Sequence, residues 1–364
     1  MTTIVSPQKY LNHPFEATLE EANTPRRLAD ATGKKYHKHK KKKNWEPIRI
    51  HVDSTYLSEL AKRTFSRADR ETLNKITSSI IPLVIKVLSK YLHVIRVNGN
   101  LMVNRNFCHG VPVPEAHKTI GIPNADYVVY LTANEANHGH TIAGGAACTE
   151  DQYGRPTSGM ISLYLAGWRP SLSKNYIVRV MVHEMSHALG WSADFFPKFR
   201  DELGYLRANA DGPVITSTNA LGKRVSFLTT PAVTRLVRSL FGCSSLAGME
   251  IEDQGGSSTA GSQPEMRIYP ESYMAGSSNS RNTDNIIDAM ALSVFRDSGW
   301  YQVKHLDTAG RLSFGRGMGC RVATHKCNDW GKEAGAEGMF CAKSSEEFCT
   351  GNVKQALGKC TLAK

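Results

Sequence analysis

"VMVHEMSHALGWS", Val180 to Ser192, decides how this chain is read. His183 and His187 stand four residues apart, so on an α-helix their side chains share one face about one turn apart. Two imidazoles placed this way can bind one tetrahedral Zn²⁺. Glu184, beside the first of them, is placed to take a proton from metal-activated water and later pass it to a leaving amine. HExxH is short enough to arise by chance, but its surroundings argue for purpose. Val178, Val180, Met181, Val182, Met185, Ala188 and Leu189 make the helix largely buried, where idle polar residues are costly. Gly190 falls where the helix must stop and the chain must turn sharply, a conformation suited to glycine. In the compact form of this pattern a third histidine follows three residues later. That position is Ala193, which cannot ligate.

Working outward, Ile48, Ile50 and Val52 alternate as in a strand. Leu73, Ile76, Ile80, Val84 and Val87 predict a long amphipathic helix despite Pro82, with a short strand near His93–Val97. "NADYVVYLTAN" and "SGMISLYLAG" read as buried strands, and the motif helix spans roughly Ser173 to Gly190. Residues 200–229 read as mixed and loop-like. "TTPAVTRLVRSLFGC" predicts a helix with Thr230 as N-cap and Pro231 at its first position. "EDQGGSSTAGSQPE" is loop. "TDNIIDAMALSVFRDSGW", Thr283 to Trp300, predicts a helix ending near Gly299.

No run of about 18 apolar residues is present, which excludes a membrane-spanning helix from the reading. The first residues carry no apolar segment behind a basic start, so as written they do not form a signal peptide. Five of the eight cysteines fall within the last 45 residues, in a Gly- and Lys-rich segment that can bury little surface. Disulfides are the expected staples there, since no paired CxxC points to a second zinc site. The net charge is +12, and residues 1–44 hold ten Lys/Arg against four Asp/Glu. The run "KKYHKHKKKKN", Lys34 to Asn44, reads first as a solvated linker, with a patch for a polyanion or acidic membrane, or a nuclear signal, as the alternative. No nucleic-acid fold follows it, so no specific nucleic-acid partner is expected.

"HEMSHALGWS", "CTEDQYGRPTSGMISL", "EDQGGSSTAGSQPEMR", "ESYMAGS" and "LSVFRDSGWYQ" together resemble the leishmanolysin (invadolysin-like) family of zinc metalloendopeptidases, over about Asn44 to Cys327. The resemblance implies an α+β, metzincin-type fold: a twisted sheet with the HExxH helix, then an irregular, disulfide-stapled C-terminal part. Four regions are expected: 1–44, a basic flexible leader or propeptide remnant; 45–190, the catalytic subdomain; 191–319, holding the insertion, third-ligand loop, Met-turn and C-terminal helix; and 320–364, a cysteine-rich tail. It also implies a disulfide Cys108–Cys148 and a pairing of Cys243 with Cys320. Members act on protein or peptide substrates, and the family implies an extracellular or cell-surface setting with peripheral membrane association.

In that family the third histidine lies far downstream, eleven residues before the methionine of a Met-turn. Met274 in "SYMAG" fits the methionine, and counting back eleven gives Gln263. A neutral amide oxygen suits Ca²⁺ better than Zn²⁺. Three outcomes stay open. Gln263 binds weakly through oxygen; Glu265 reaches in instead, although Pro264 stiffens the loop; or the chain is a catalytically inactive relative acting in adhesion or binding. Among other residues, His138 and His140 in "NHGHT" read as solvated loop, and His305 and His325 as structural or exposed. Gly159, Met160 and Ile161 are candidates for a strand edge that pairs with substrate. The Tyr273 hydroxyl is a candidate donor to a developing oxyanion.

Overall fold

A computed structural model describes residues 44–136, 141–169, 171–220, 223–254, 259–276, 286–325, 347–349 and 357–359. The chain opens with β1 (Trp45–Pro47), β2 (Ile50–Asp53), α1 (Thr55–Thr64) and α2 (Arg67–Lys75). A π-helical turn, Ile76–Ile80, joins α2 to α3 (Ile81–Tyr91). The expected long helix is thus continuous but widened at one turn. Pro82 lacks an N–H, and its ring crowds the carbonyl four residues back; the wider turn directly before α3 accommodates both. The strand expected from the alternation of Ile48, Ile50 and Val52 forms only from Ile50 onward, and Ile48 and Arg49 separate β2 from β1, which lies in a different sheet. Between them Arg49 turns aside to pair with Asp126, Nη2 to Oδ1 at 2.8 Å, while the Arg49 amide donates to the same carboxylate.

There follow β3 (Leu92–Ile95), β4 (Phe107–Cys108), β5 (Val111–Pro112), α4 (Glu115–Thr119), β6 (Tyr127–Asn134), β7 (Ala143–Glu150) and β8 (Pro156–Tyr164). The central sheet has the order β2-β6-β8-β7, with β7 antiparallel at one edge. One face, with Tyr127, Val129, Leu131, Ile161 and Leu163, joins the main core. The other face, with Val128 and Tyr130, closes a second core around Leu101, Val103, Val111, Val113 and Ile122. Against the first face lies α5 (Lys174–Ala188), whose N-cap Ser173 accepts from Tyr176 N. Ile177, Val178, Met181, Val182 and Met185 fasten it to the core.

Beyond α5 come α6 (Arg207–Ala210), β9 (Ile215–Ala220), β10 (Lys223–Leu228), α7 (Pro231–Phe241), β11 (Met249–Ile251), α8 (Ala289–Asp297), β12 (Gln302–Val303) and α9 (Arg321–Thr324). The hairpin β9–β10, with β11 as third strand, stands where the sequence reads as loop. Between Ile215 and Ala220 β9 is polar throughout, and β10 opens on Lys223 and Arg224, so apolar alternation does not announce the hairpin. Thr230 holds the N-cap position of α7, but its side chain accepts from no helix amide. The buried Asp297 does this work, accepting from Ala232 N at 2.8 Å and Val233 N at 2.9 Å. Helix α8 starts later than expected, at the N-cap Asp288, and the chain turns at Gly299 with φ +73°. Strand β12 returns to pair with β3, tying the two halves of the chain together.

Both expected disulfides are formed: Cys108–Cys148, with Cα atoms 5.5 Å apart, and Cys243–Cys320, at 4.8 Å. Cys327, Cys341 and Cys360 lie outside the described residues, as do His138 and His140 and nearly all of residues 1–44. The tail contributes one described hairpin, β13 (Glu347–Cys349) with β14 (Leu357–Lys359). Among the described residues no helix is long and apolar enough to cross a membrane.

Candidate metal centre

Helix α5 places His183 and His187 with their rings edge to face, centroids 4.7 Å apart. Each ring is held through Nδ1 by a backbone carbonyl. His183 Nδ1 lies 2.7 Å from Tyr273 O, and His187 Nδ1 lies 2.7 Å from Trp191 O. A carbonyl can only accept, so each Nδ1 carries the proton and each Nε2 presents a lone pair. The two Nε2 atoms face one another at 3.0 Å. Burial lowers both pKa values, His183 to about 3, with its neighbour His187 adding to the effect, and His187 to about 4. Both imidazoles are therefore neutral at pH 7, and their lone pairs repel unless a cation lies between them. Two nitrogens on a tetrahedral zinc stand about 3.3 Å apart, close to the spacing seen here.

The turn after α5 sets one of these carbonyls. Gly190 has φ +102°, and a Cβ there would press on Trp300 and Pro156, so glycine is required on both counts. Trp191 N donates back to Ser186 O at 3.0 Å, which folds the Trp191 carbonyl onto His187. Two tyrosine hydroxyls satisfy the last carbonyls of the helix: Tyr127 donates to Ala188 O and Tyr301 to Leu189 O.

The third element is the loop 259–276. Its residue Gln263 is 5% exposed and sets Nε2 at 3.3 Å from His183 Nε2 and 3.4 Å from His187 Nε2. Gln263 Oε1 is buried with no hydrogen-bond partner. Exchanging amide N and O, a choice the heavy atoms alone do not fix, turns the oxygen toward both imidazoles. Three side-chain donors then converge on one point, which fits a divalent metal, with the neutral amide the weakest of the three. The loop reaches this point beside Ala193, the position of the compact motif's missing histidine: Ala193 N donates to Ser262 Oγ at 3.0 Å. Glu265 does not join the pair; its carboxylate clusters with Glu252 and Asp253.

Further along the loop, Met274 is fully buried in the main core. Its turn is pinned from two sides. Arg179 of α5 donates to Ser272 O at 2.7 Å, and Asp288 accepts from Ser272 Oγ and Tyr273 N while capping α8 through Ala291 N. The Tyr273 hydroxyl does not serve as expected. It is buried against Ser186 Oγ at 3.0 Å, and the useful atom of Tyr273 is its carbonyl.

Glu184 faces the sheet edge. Burial raises its pKa to about 8, opposed by a hydrogen bond from the Gly145 amide on β7. The strand lies so close that a Cβ on Gly145 would collide with the Glu184 carbonyl. Tyr164, at the end of β8, has its pKa raised by burial and by the nearby Glu184. The candidate substrate edge moves accordingly. Gly159, Met160 and Ile161 lie on β8, which is flanked by β6 and β7 and cannot add a strand; the edge is β7. Sequence reasoning missed Gly145, although paired glycines within a strand signal close backbone approach. It also missed the Trp191 and Tyr273 carbonyls, which no side-chain pattern announces.

With this geometry in view, the comparisons with known proteins are decisive. The sequence model of the leishmanolysin peptidase family matches residues 65–364. The chain belongs to the leishmanolysin family. It is 29% identical to leishmanolysin of Leishmania major over 298 residues, covering 79% of this chain and 46% of that protein. Against leishmanolysin of Leishmania donovani the identity is 28% over 348 residues, 88% of this chain and 55% of the relative. A leishmanolysin-like peptidase of Drosophila melanogaster is 26% identical over 362 residues, 77% of this chain and 52% of the relative. The chain spans about half the length of the curated relatives it matches. Family membership makes the metallopeptidase class the frame for the His183–His187–Gln263 constellation.

Proposed function

We propose that this chain is a zinc-dependent endopeptidase of the leishmanolysin type with a metzincin-like catalytic core. The observation that carries this reading is the convergence of His183 Nε2, His187 Nε2 and the Gln263 amide, with both imidazoles locked in the ligand tautomer. These three residues would hold zinc, which when bound supplies Lewis-acid polarisation of the scissile carbonyl and makes water acidic enough to attack near pH 7. Glu184 takes the proton from the attacking water and delivers it to the leaving amine. Burial raises its pKa to about 8 in the metal-free protein, and a cation held by His183 and His187 would lower it toward the range in which the carboxylate accepts a proton and returns it. The outer edge of β7 aligns an extended peptide by strand addition beside Glu184. Met274 closes the apolar floor, and Gly190 directs the chain away from the metal-binding helix.

Gln263 supports a second reading, a catalytically inactive relative that keeps the fold for binding or adhesion. Hydrolysis of a quenched peptide decides between them. Cleavage that is abolished by a chelator and by Glu184→Gln supports the peptidase. Absence of cleavage by a folded, zinc-loaded chain overturns it.

A further inference from the structure

The opposite face of the central sheet carries a second set of metal-type ligands. His51 and Asp53, two residues apart on β2, pair in register with Val128 and Tyr130, and these two residues face the second core. The sheet therefore separates them from α5. Helix α4 adds His117. One ligand atom each from His51, Asp53 and His117 lies within 4.8 Å of the others. Asp53 is buried, His117 is half-buried and His51 is exposed, so the cluster opens to solvent through His51.

The cluster is not explained as an ordinary ion pair. His117 Nε2 and Asp53 Oδ2 are 3.7 Å apart, beyond hydrogen-bond reach. Burial lowers the His117 pKa, keeping the ring neutral rather than charged. The other Asp53 oxygen is committed, accepting from Thr55 N at 2.9 Å, which fixes the carboxylate. His117 Nδ1 meets the Tyr130 hydroxyl at 3.0 Å. That hydroxyl can accept from Nδ1–H, the tautomer that leaves the Nε2 lone pair directed to Asp53. His51 approaches the same ring edge-on, centroids 5.8 Å apart. Two ligands of a tetrahedral zinc stand about 3.3 Å apart, so small rotamer adjustments close the set around one ion.

We propose that His51, Asp53 and His117 form a second divalent-metal site, with Tyr130 as the group that orients His117 and with a solvent-facing coordination position left open. Two imidazole nitrogens and one carboxylate as ligands select borderline ions such as Zn²⁺ over Mg²⁺ or Ca²⁺. The site depends neither on Gln263 nor on peptidase activity.

The test is zinc titration of the full chain, read by calorimetry and by the histidine ring resonances in NMR. In the His183→Ala, His187→Ala background, one equivalent of Zn²⁺ is still bound with micromolar affinity. Adding His51→Ala weakens it by roughly tenfold or more, as loss of a direct ligand should. If that background does not fold, the native chain and His51→Ala alone decide, because His51 is exposed and its replacement leaves the core intact. The His51 variant then takes up one equivalent fewer, and zinc shifts the His51 and His117 ring signals in the native chain. Equal zinc uptake by the two, or ring signals of His51 and His117 that zinc leaves unmoved, overturns the proposal. Either result stands apart from the peptide-cleavage outcome.

Discussion

On α5, His183 and His187 owe their spacing to the backbone: four residues of regular helix bring the two rings within reach whatever the distant sequence does. In the loop 259–276 nothing local places Gln263. It is located by an isolated bridge between Ile251 and Pro264, by Glu252 N donating to Gln263 O at 2.8 Å, and by Glu265 N donating to Glu250 O. Strand β11 thus does for the loop what helical periodicity does for the histidines. The difference teaches where the centre can vary. On the proposed function, a helix residue of the pair cannot change without losing the pair, whereas a loop residue held through its main chain can change its side chain and still arrive in place. Gln263 in a buried, correctly directed position is an instance of that freedom.

Experiments can break either side of this contrast. The largest expected effect is on the helix side. Glu184→Gln should lower peptide cleavage by roughly 10²–10⁴-fold, the usual contribution of a general base, while metal content stays unchanged. A variant retaining near-native turnover would remove Glu184 from the chemistry.

The support of the loop side is tested next. Asp288→Ala deletes acceptors for Ser272 Oγ, Tyr273 N and Ala291 N in a fully buried setting. A loss of about 2–4 kcal/mol in denaturant unfolding is expected, because buried donors are left unsatisfied. An unchanged midpoint would mean that the turn is held by other contacts.

Replacing Gln263, the proposed third ligand, should have a smaller, opposite effect. Gln263→His restores an imidazole at a position already directed to the pair and should tighten zinc binding roughly tenfold or more. Unaltered affinity and activity would place Gln263 off the metal.

The pair and its neighbouring carboxyl also leave a pH signature in the metal-free protein. The folded His183 and His187 titrate at about 3 and about 4, below the usual 6.5, so the unfolded chain binds more protons in between. Their contribution is present above pH 6.5 and is lost as pH falls. Glu184 runs the other way. Its pKa is raised to about 8, so its contribution is present in acid and is lost as pH rises toward 8. The melting temperature of the chelated protein should peak near about pH 6.5. Glu184→Gln should flatten the alkaline limb, and a limb that persists would assign it to another group.

Much of this was legible in the sequence because it is local. The i, i+4 histidines, the apolar flanks of α5, the turning Gly190 and the buried strands β6 and β8 each follow from a short-range pattern. The register from Met274 back to Gln263 was legible only through the family's motif order, since no periodicity links the two. The rest is tertiary. The polar hairpin β9–β10 carries no clear alternation. The cap of α7 comes from Asp297, some 65 residues away. The apolar strand β8 reads as the candidate substrate edge, whereas neighbour order puts the small-residue strand β7 outside it.

The most direct test of the central claim is the zinc content of the purified chain after mild dialysis, compared with the His183→Ala variant. One zinc per chain at this centre, lost on removal of His183, is the predicted result. A fully folded native chain with zinc uptake identical to that of the His183 variant would contradict it.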